Sequence, residues 1–256
     1  MKIVDFSLRF VAGLYSVPLR LFHSDVILLL PGCKVATPRS ELRETILNYE
    51  HIYVYRDYER LEEFIPGGSE RVIDLGGYLG LYSIRSLRSG SRVRAFIVEA
   101  NPLLCKYIFW NLRLNKVEDR AKVLCIAVDS SKGIEWFYVG ESLVNSSLNH
   151  HYVEDFSNVR EALKVPKLTL SEVLGRSGFR KIDLIKMDIE GVEERVLASS
   201  LDALNAYDVE KLVVELHDNY YSFTRISKIL ADRYHLFLYT DESIPYQSFL
   251  YAVSKR

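Results

Sequence analysis

The sequence is poor in the residues that would tie it to several common protein classes. Cysteine occurs three times in 256 residues, at Cys33, Cys105 and Cys125. The number is odd, the spacing wide, and no CxxC pair is present. Neither a zinc site nor a disulfide framework follows, and a reduced, cytoplasmic setting is the expectation. Cys105 and Cys125 fall in apolar segments and read as small core residues. An excess charge is also missing: 33 basic residues stand against 34 acidic ones. No whole-protein field is therefore available to grip a phosphate backbone, and nucleic acid is not an expected partner. No apolar run approaches the roughly 20 residues that a membrane span requires. The opening MKIVDFSLRFVAGLYSVPLRLF is interrupted by Asp5, Arg9 and Arg20 and lacks a signal-peptide profile. Docking of this stretch against its own domain is expected. Glutamine occurs only at Gln247, and methionine only twice, a scarcity that fits a thermophilic source.

What is present belongs to a globular α/β chain. Hydrophobic residues make up 48% and charged residues 26%, and the length supports one sizeable domain with an extension. Residues 1–65 read as an irregular N-terminal extension packed on the core, closed by the turn signal Pro66-Gly67-Gly68. From 66 to 256 short apolar runs alternate with helical stretches, the signature of a parallel sheet. The runs are Arg71–Leu75, Val93–Val98, Lys122–Val128, Ile182–Met187, Lys211–Leu216, His235–Tyr239 and Ser248–Val253. A helix from about Leu79 to Leu87 stops at Gly90, read as a left-handed cap. Another begins at Asn101-Pro102, an N-cap followed by proline at the first helical position. Two more follow Glu190 and Ser222. The stretch 133–166 breaks the rhythm and reads as an inserted hairpin and lid: Ile134–Val139 as strand, NSSLNHH as loop, the rest as charged connector. The link Asp241–Gln247 is too short for a crossover helix, so the last strand should run antiparallel.

The stretch VIDLGGYLGLYS (72–83) places an aspartate and three glycines at the mouth of the first strand. A dinucleotide fold needs G-x-G-x-x-G, whose second glycine lets the backbone approach a pyrophosphate. Tyr78 occupies that position here, while Gly76, Gly77 and Gly80 permit a tight turn. Asp74 would repel a pyrophosphate and attract an ammonium. The next strand ends in Glu99, which can accept both hydroxyls of a ribose. A ligand with a ribose, a positive charge and no phosphate is S-adenosylmethionine. NAD fits less well, and no G-x-x-x-x-G-K-[ST] is present for a triphosphate.

Four blocks resemble the FkbM-type methyltransferases, a branch of the class I S-adenosylmethionine-dependent enzymes: VIDLGGYLGLYS (72–83), AFIVEANP (95–102), the N-x-x-x-N of Asn111 and Asn115, and IDLIKMDIEGVEERVL (182–197). LVVELH (212–217) looks like the next strand of that family. Tyr78 stands where the family commonly has asparagine, open to stacking or hydrogen bonding against the cofactor. Gly77 stands where alanine is frequent, a change expected to be harmless. The resemblance implies a Rossmann-like fold with a seven-stranded, mostly parallel sheet and an antiparallel last strand. It implies S-adenosylmethionine as cofactor, with Asp74, Gly76, Gly77, Tyr78, Gly80, Glu99, Ala100, Asn101, Ala127 and Asp188 as the expected contact set.

Methyl transfer from a sulfonium is a collinear displacement, so the protein must align the partners and, for a hydroxyl acceptor, remove a proton. Candidates stand at the ends of the fourth and fifth strands: Asp188, Glu190 and His217, the last having the side chain best suited to base work near neutrality. Glu193 could share a face with Glu190 or only favour a helix N-terminus. His150 and His151 fall in the lid and could reach substrate. A Mg²⁺ site from Asp188 with Glu215, Asp218 or Asn219 is conceivable, but spacing does not bring these together and no metal is expected. The leading expectation is an O-methyltransferase acting on a small molecule, sugar or lipid-linked acceptor. An NAD-dependent oxidoreductase or a non-catalytic binding module on the same fold are the alternatives. The acceptor, the oligomeric state and the role of the extension are not legible.

Overall fold

The computed structural model describes residues 25–68, 70–217, 219–240 and 248–255. The N-terminal stretch expected to dock on the core, and the linker before the last strand, lie outside them. The described residues open with a hairpin, β1 (Asp25–Leu30) and β2 (Cys33–Pro38), then a helix, Leu42–Tyr49, continuing as one π-type turn, Glu50–Tyr55. The strands β3 (Arg71–Leu75), β4 (Arg94–Glu99) and β5 (Ala121–Cys125) follow, then β6 (Ala127–Asp129), β7 (Gly133–Gly140) and β8 (Val159–Thr169). Last come β9 (Ile182–Met187), β10 (Val209–Leu216), β11 (Tyr234–Thr240) and β12 (Ser248–Ser254).

All seven expected strands share one sheet, ordered β11-β12-β10-β9-β3-β4-β5. β12 is antiparallel to both β10 and β11, and the other neighbours pair in parallel. The inner strands are buried on both faces, and their apolar runs seed two clusters, one on each side of the sheet. Winding reverses between β3 and β9, so the crevice outside their carboxyl ends is where such a fold holds ligand.

Three local expectations need correction. Gly90 ends the helix Leu81–Ser89 in extended backbone, not a left-handed cap; a Cβ there would meet Gly68 backbone at 3.1 Å, so close packing calls for glycine. The run Lys122–Val128 is two strands, because β6 leaves the main sheet to join β8 and β7. The charged connector in the insertion is a short helix, His150–Phe156, followed by β8. Arg160, Glu161 and Lys164 are exposed on a strand whose backbone pairs with β7 along Val159–Lys167, which charge patterning alone hides. A fourth difference concerns sulfur. Cys105 and Cys125 are joined as a disulfide with Cα atoms 6.1 Å apart. The first turn of the helix Pro102–Leu114 brings Cys105 over the end of β5, a neighbourhood that a separation of 20 residues does not announce.

The N-x-x-x-N pair has a structural task. Asn111 Oδ1 accepts from Ala36 N (2.6 Å) and its Nδ2 donates to Ala36 O (3.1 Å) and Leu79 O (2.9 Å). Asn115 does the same with Lys34, at 2.9 and 2.7 Å. Four residues of helix rise about 6 Å and two residues of strand about 6.6 Å. The two amides therefore match alternate residues of β2 and act as a surrogate edge strand. Among the described residues, no helix is long and apolar enough to cross a membrane.

Candidate active site

A cavity lies at the carboxyl ends of β3, β4 and β9. Glu99 terminates β4 and forms its polar end. Its Oε2 accepts from Tyr78 N and its Oε1 from Asn101 N, both at 2.8 Å. Each oxygen keeps a lone pair for a further donor. Burial pushes the Glu99 carboxyl up to about 7 despite these two backbone bonds. Beside it Ala100, Leu104, Ile126 and Ala127 form an apolar slot.

Gly76 and Gly77 both donate to Val98 O, at 3.0 and 3.1 Å, folding the turn onto β4. Gly76 has φ +80, and a Cβ would fall 1.7 Å from Asp188 O. No other residue fits there. At Gly77 a methyl would meet Ile97 Cγ2 at 2.5 Å, so the alanine frequent in the family is not neutral here; the Ile97 side chain would have to move. Tyr78 sits at φ +48. Its hydroxyl does not take the place of a cofactor contact but donates to Glu41 Oε2 at 3.2 Å, and the same oxygen accepts Leu143 N at 3.0 Å. Glu41 thus joins the extension, the glycine turn and the insertion.

Asp74 is not where its sequence context places it. Its side chain is fully buried, does not line the cavity, and accepts from Ser83 Oγ at 2.6 Å. The cation it attracts is internal: Lys186 Nζ, 3.5 Å away, from the residue paired with it across the β3–β9 ladder. Lys186 also reaches Asp188 Oδ2 at 3.0 Å and donates to Gly76 O at 2.7 Å. Burial works against its charge, but Asp188 and Asp74 outweigh this and hold the ammonium protonated well above the usual lysine range. The lysine was visible as the one charge near the end of IDLIKM, and a charge in a doubly buried strand needs a partner.

Gly76, Gly77, Tyr78, Ala127, Asp188 and Glu190 line the cavity as well as Glu99 and Ala100. Gly80 does not; it turns the chain at φ +81 into the next helix. Asn101 does not either, because its side chain caps the following helix through Leu103 N at 2.9 Å. His217 stands outside the lining, with Nε2 3.3 Å from Asp188 Oδ1 and 3.5 Å from Glu190 Oε2. Its Nδ1 is 2.9 Å from Glu193 Oε1, which also accepts Ile189 N. Burial disfavours the imidazolium, yet Glu190 and Glu193 around it raise its pKa well above the ordinary histidine range. Burial pushes Glu190 up to about 8, and Asp188 adds to this. Asp188 goes the other way: burial is overcome by Lys186 and His217, which hold its carboxyl below the usual range.

Two side chains that no local pattern singles out complete the cluster. Tyr58, from the extension, donates to Asp188 Oδ2 at 3.0 Å and Glu215 Oε2 at 2.5 Å. Tyr152, from the insertion, bonds Glu190 Oε2. Leu143, Val144, Ser146 and Leu148 of the insertion form one wall of the cavity. His150 and His151 do not line it; they lie around Glu154 at 3.0 and 3.6 Å.

A seven-stranded sheet with one reversed strand and a crevice at its switch point is the class I methyltransferase fold. The chain belongs to the methyltransferase FkbM domain family, whose model matches residues 74–239. Among curated proteins it is similar to the AMB antimetabolite synthetase AmbE of Pseudomonas aeruginosa, 25% identical over 209 residues, 69% of this chain and 10% of AmbE. It thus spans about a tenth of the length of that relative. Among solved structures it shares its fold with the METTL16 MTase domain, at TM-score 0.50 and 14% identity over 82% of this chain and 68% of that one. A further match is an O-methyltransferase from Bacillus cereus in complex with SAH, at TM-score 0.47 and 14% identity, covering 73% and 74% of the two chains. Family membership sets aside the oxidoreductase alternative.

Proposed function

We propose that this protein is an S-adenosylmethionine-dependent O-methyltransferase acting on a hydroxyl of a small molecule, sugar or lipid-linked acceptor. Family membership supports the cofactor, and the residues present fit it. Glu99 offers two oxygens with spare lone pairs for ribose hydroxyls, and the slot beside it is apolar enough for a purine. When bound, S-adenosylmethionine supplies an electrophilic methyl group.

The observation that carries the choice of oxygen is the grouping of Asp188 and Glu190 on the cavity wall, with His217 3.3 and 3.5 Å behind them. A hydroxyl must lose its proton as it is methylated, and this cluster can take one. The same carboxylates would repel a phosphate backbone, in line with a small acceptor rather than nucleic acid. The wall given by Leu143, Val144 and Leu148 suits an acceptor with an apolar portion.

The test is transfer of label from methyl-labelled S-adenosylmethionine into fractionated acceptors, with the methylated atom of the product identified by mass spectrometry and NMR. Asp188→Asn should lower kcat by about 10²–10⁴ while the chain still binds S-adenosylhomocysteine. A methylated nitrogen or carbon in the product contradicts the choice of oxygen. Turnover intact in Asp188→Asn contradicts its role, and cofactor binding without transfer to any acceptor favours a binding module.

A further inference from the structure

His217 closes β10 with a side chain only 10% exposed, and Glu193 Oε1 holds its Nδ1 at 2.9 Å. A carboxylate on one ring nitrogen fixes a proton there and turns the other nitrogen toward the acidic cluster, where a metal cation can take the place of its proton. That other nitrogen, Nε2, faces Asp188 Oδ1 at 3.3 Å, Glu190 Oε2 at 3.5 Å and Glu215 Oε1 at 3.7 Å. All three separations exceed the roughly 2.9 Å of an N–H···O bond.

A second observation concerns the two oxygens of Asp188. Asp188 Oδ1 is buried and has no hydrogen-bond partner, although Tyr58 Oη and Lys186 Nζ both lie 3.0 Å from its Oδ2. One oxygen of Asp188 is thus fixed by donors and the other is left aimed at His217. Glu190 is delivered to the same point by left-handed backbone, φ +57, followed by Gly191 at φ +89.

The chosen atoms of Asp188, Glu190 and His217 all lie within 4.8 Å of one another. A cation with bonds of about 2.1 Å sets its neighbouring ligand atoms roughly 3.0 Å apart in an octahedron and 3.4 Å in a tetrahedron. The observed 3.3 and 3.5 Å fall at that spacing. We propose that Asp188, Glu190 and His217 form a divalent metal site, with Glu193 orienting the imidazole from behind. Two carboxylates and one imidazole suit Mn²⁺, Fe²⁺ or Zn²⁺. An ion there borders the cavity wall and would hold an acceptor oxygen beside the carboxylates. The assignment concerns the same three side chains that the methyl-transfer reading uses to take a proton, but it is argued from their geometry and does not rest on that reading.

The test uses the full chain, stripped of metal by chelator and titrated with MnCl₂, with free Mn²⁺ read by electron paramagnetic resonance. One ion should bind per chain. Binding should weaken at least about tenfold in Asp188→Asn and in Glu190→Gln, with folding checked by circular dichroism. A His150→Ala/His151→Ala variant should bind as before and retain a nitrogen coupling in the echo-modulation spectrum of its Mn²⁺. This double variant also keeps the test open if an acidic variant fails to fold. Absence of binding, binding that survives in both folded acidic variants, or loss of binding or of nitrogen coupling in the double histidine variant each overturns the proposal. The last would place the ion on the exposed His150–His151–Glu154 group. S-adenosylhomocysteine is titrated separately. Its binding without Mn²⁺ sinks the metal site and leaves the methyl-transfer reading standing; Mn²⁺ binding without it does the reverse.

Discussion

Glu99 and Tyr78 meet through one hydrogen bond, from the Tyr78 amide to Glu99 Oε2 at 2.8 Å. That bond ties the glycine turn to the end of the second parallel strand, and with the Asn101 amide it fixes the carboxylate at the cavity. The carboxylate is thereby placed to receive donors from a ligand at no further cost in side-chain ordering.

The buried state of Glu99 gives a pH prediction. Its carboxyl is pushed from 4.5 up to about 7. The raised value means that this group's contribution to apoprotein stability is fully present below the exposed-glutamate value and is lost as pH rises through about 7. Ligand hydroxyls donate to the ionised form, so affinity runs the opposite way. Binding of S-adenosylhomocysteine should weaken by up to about tenfold per pH unit below 7. Calorimetric titration from pH 5 to pH 8 checks this, and a flat profile assigns the ribose to another acceptor.

Lys186 carries the second prediction. It stands between two carboxylates, Asp74 at 3.5 Å and Asp188 at 3.0 Å, and is itself buried. Lys186→Met leaves Asp74 without its cation and Asp188 with His217 alone, and should destabilise the fold by about 3–5 kcal/mol. Adding Asp74→Asn should recover part of that loss. Denaturant unfolding of the two variants measures it, and equal stabilities would mean that Asp74 and Lys186 are not coupled.

The amide ladder gives the third. Asn111→Ala removes the partners of Ala36 N, Ala36 O and Leu79 O, and should cost roughly 2–4 kcal/mol. Urea midpoints of Asn111→Ala and Asn115→Ala test this. A loss within experimental error would show that β2 holds its place without them.

Much of the architecture was legible because burial on both faces writes continuous apolar runs in the inner strands, while the edge strands β5 and β11 are part-exposed yet apolar enough to be read. The reversed last strand followed from the length of one linker. The insertion was half legible, since β8 carries exposed charges at Arg160, Glu161 and Lys164 and imitates a connector. At the site, Glu99 and Asp188 could be placed from their positions at strand ends. Asp74 could not, because a strand-end carboxylate looks alike whether it meets a ligand or an internal lysine 112 positions later, and only the β3–β9 register pairs it with Lys186. Tyr58 and Tyr152 left no local signal at all. Their partners are 130 and 38 residues away, and an aromatic residue in an irregular segment reads the same whether it fills space or reaches a carboxylate.

Calorimetric titration of the wild-type chain and Glu99→Ala with S-adenosylhomocysteine, and of the wild type with NADH, tests the central claim most directly. The account predicts one nucleoside site per chain, at least about tenfold weaker in Glu99→Ala because charge-assisted hydrogen bonds are lost, and no heat from NADH. Equal affinity in the two chains, or a site that takes NADH in preference, contradicts it.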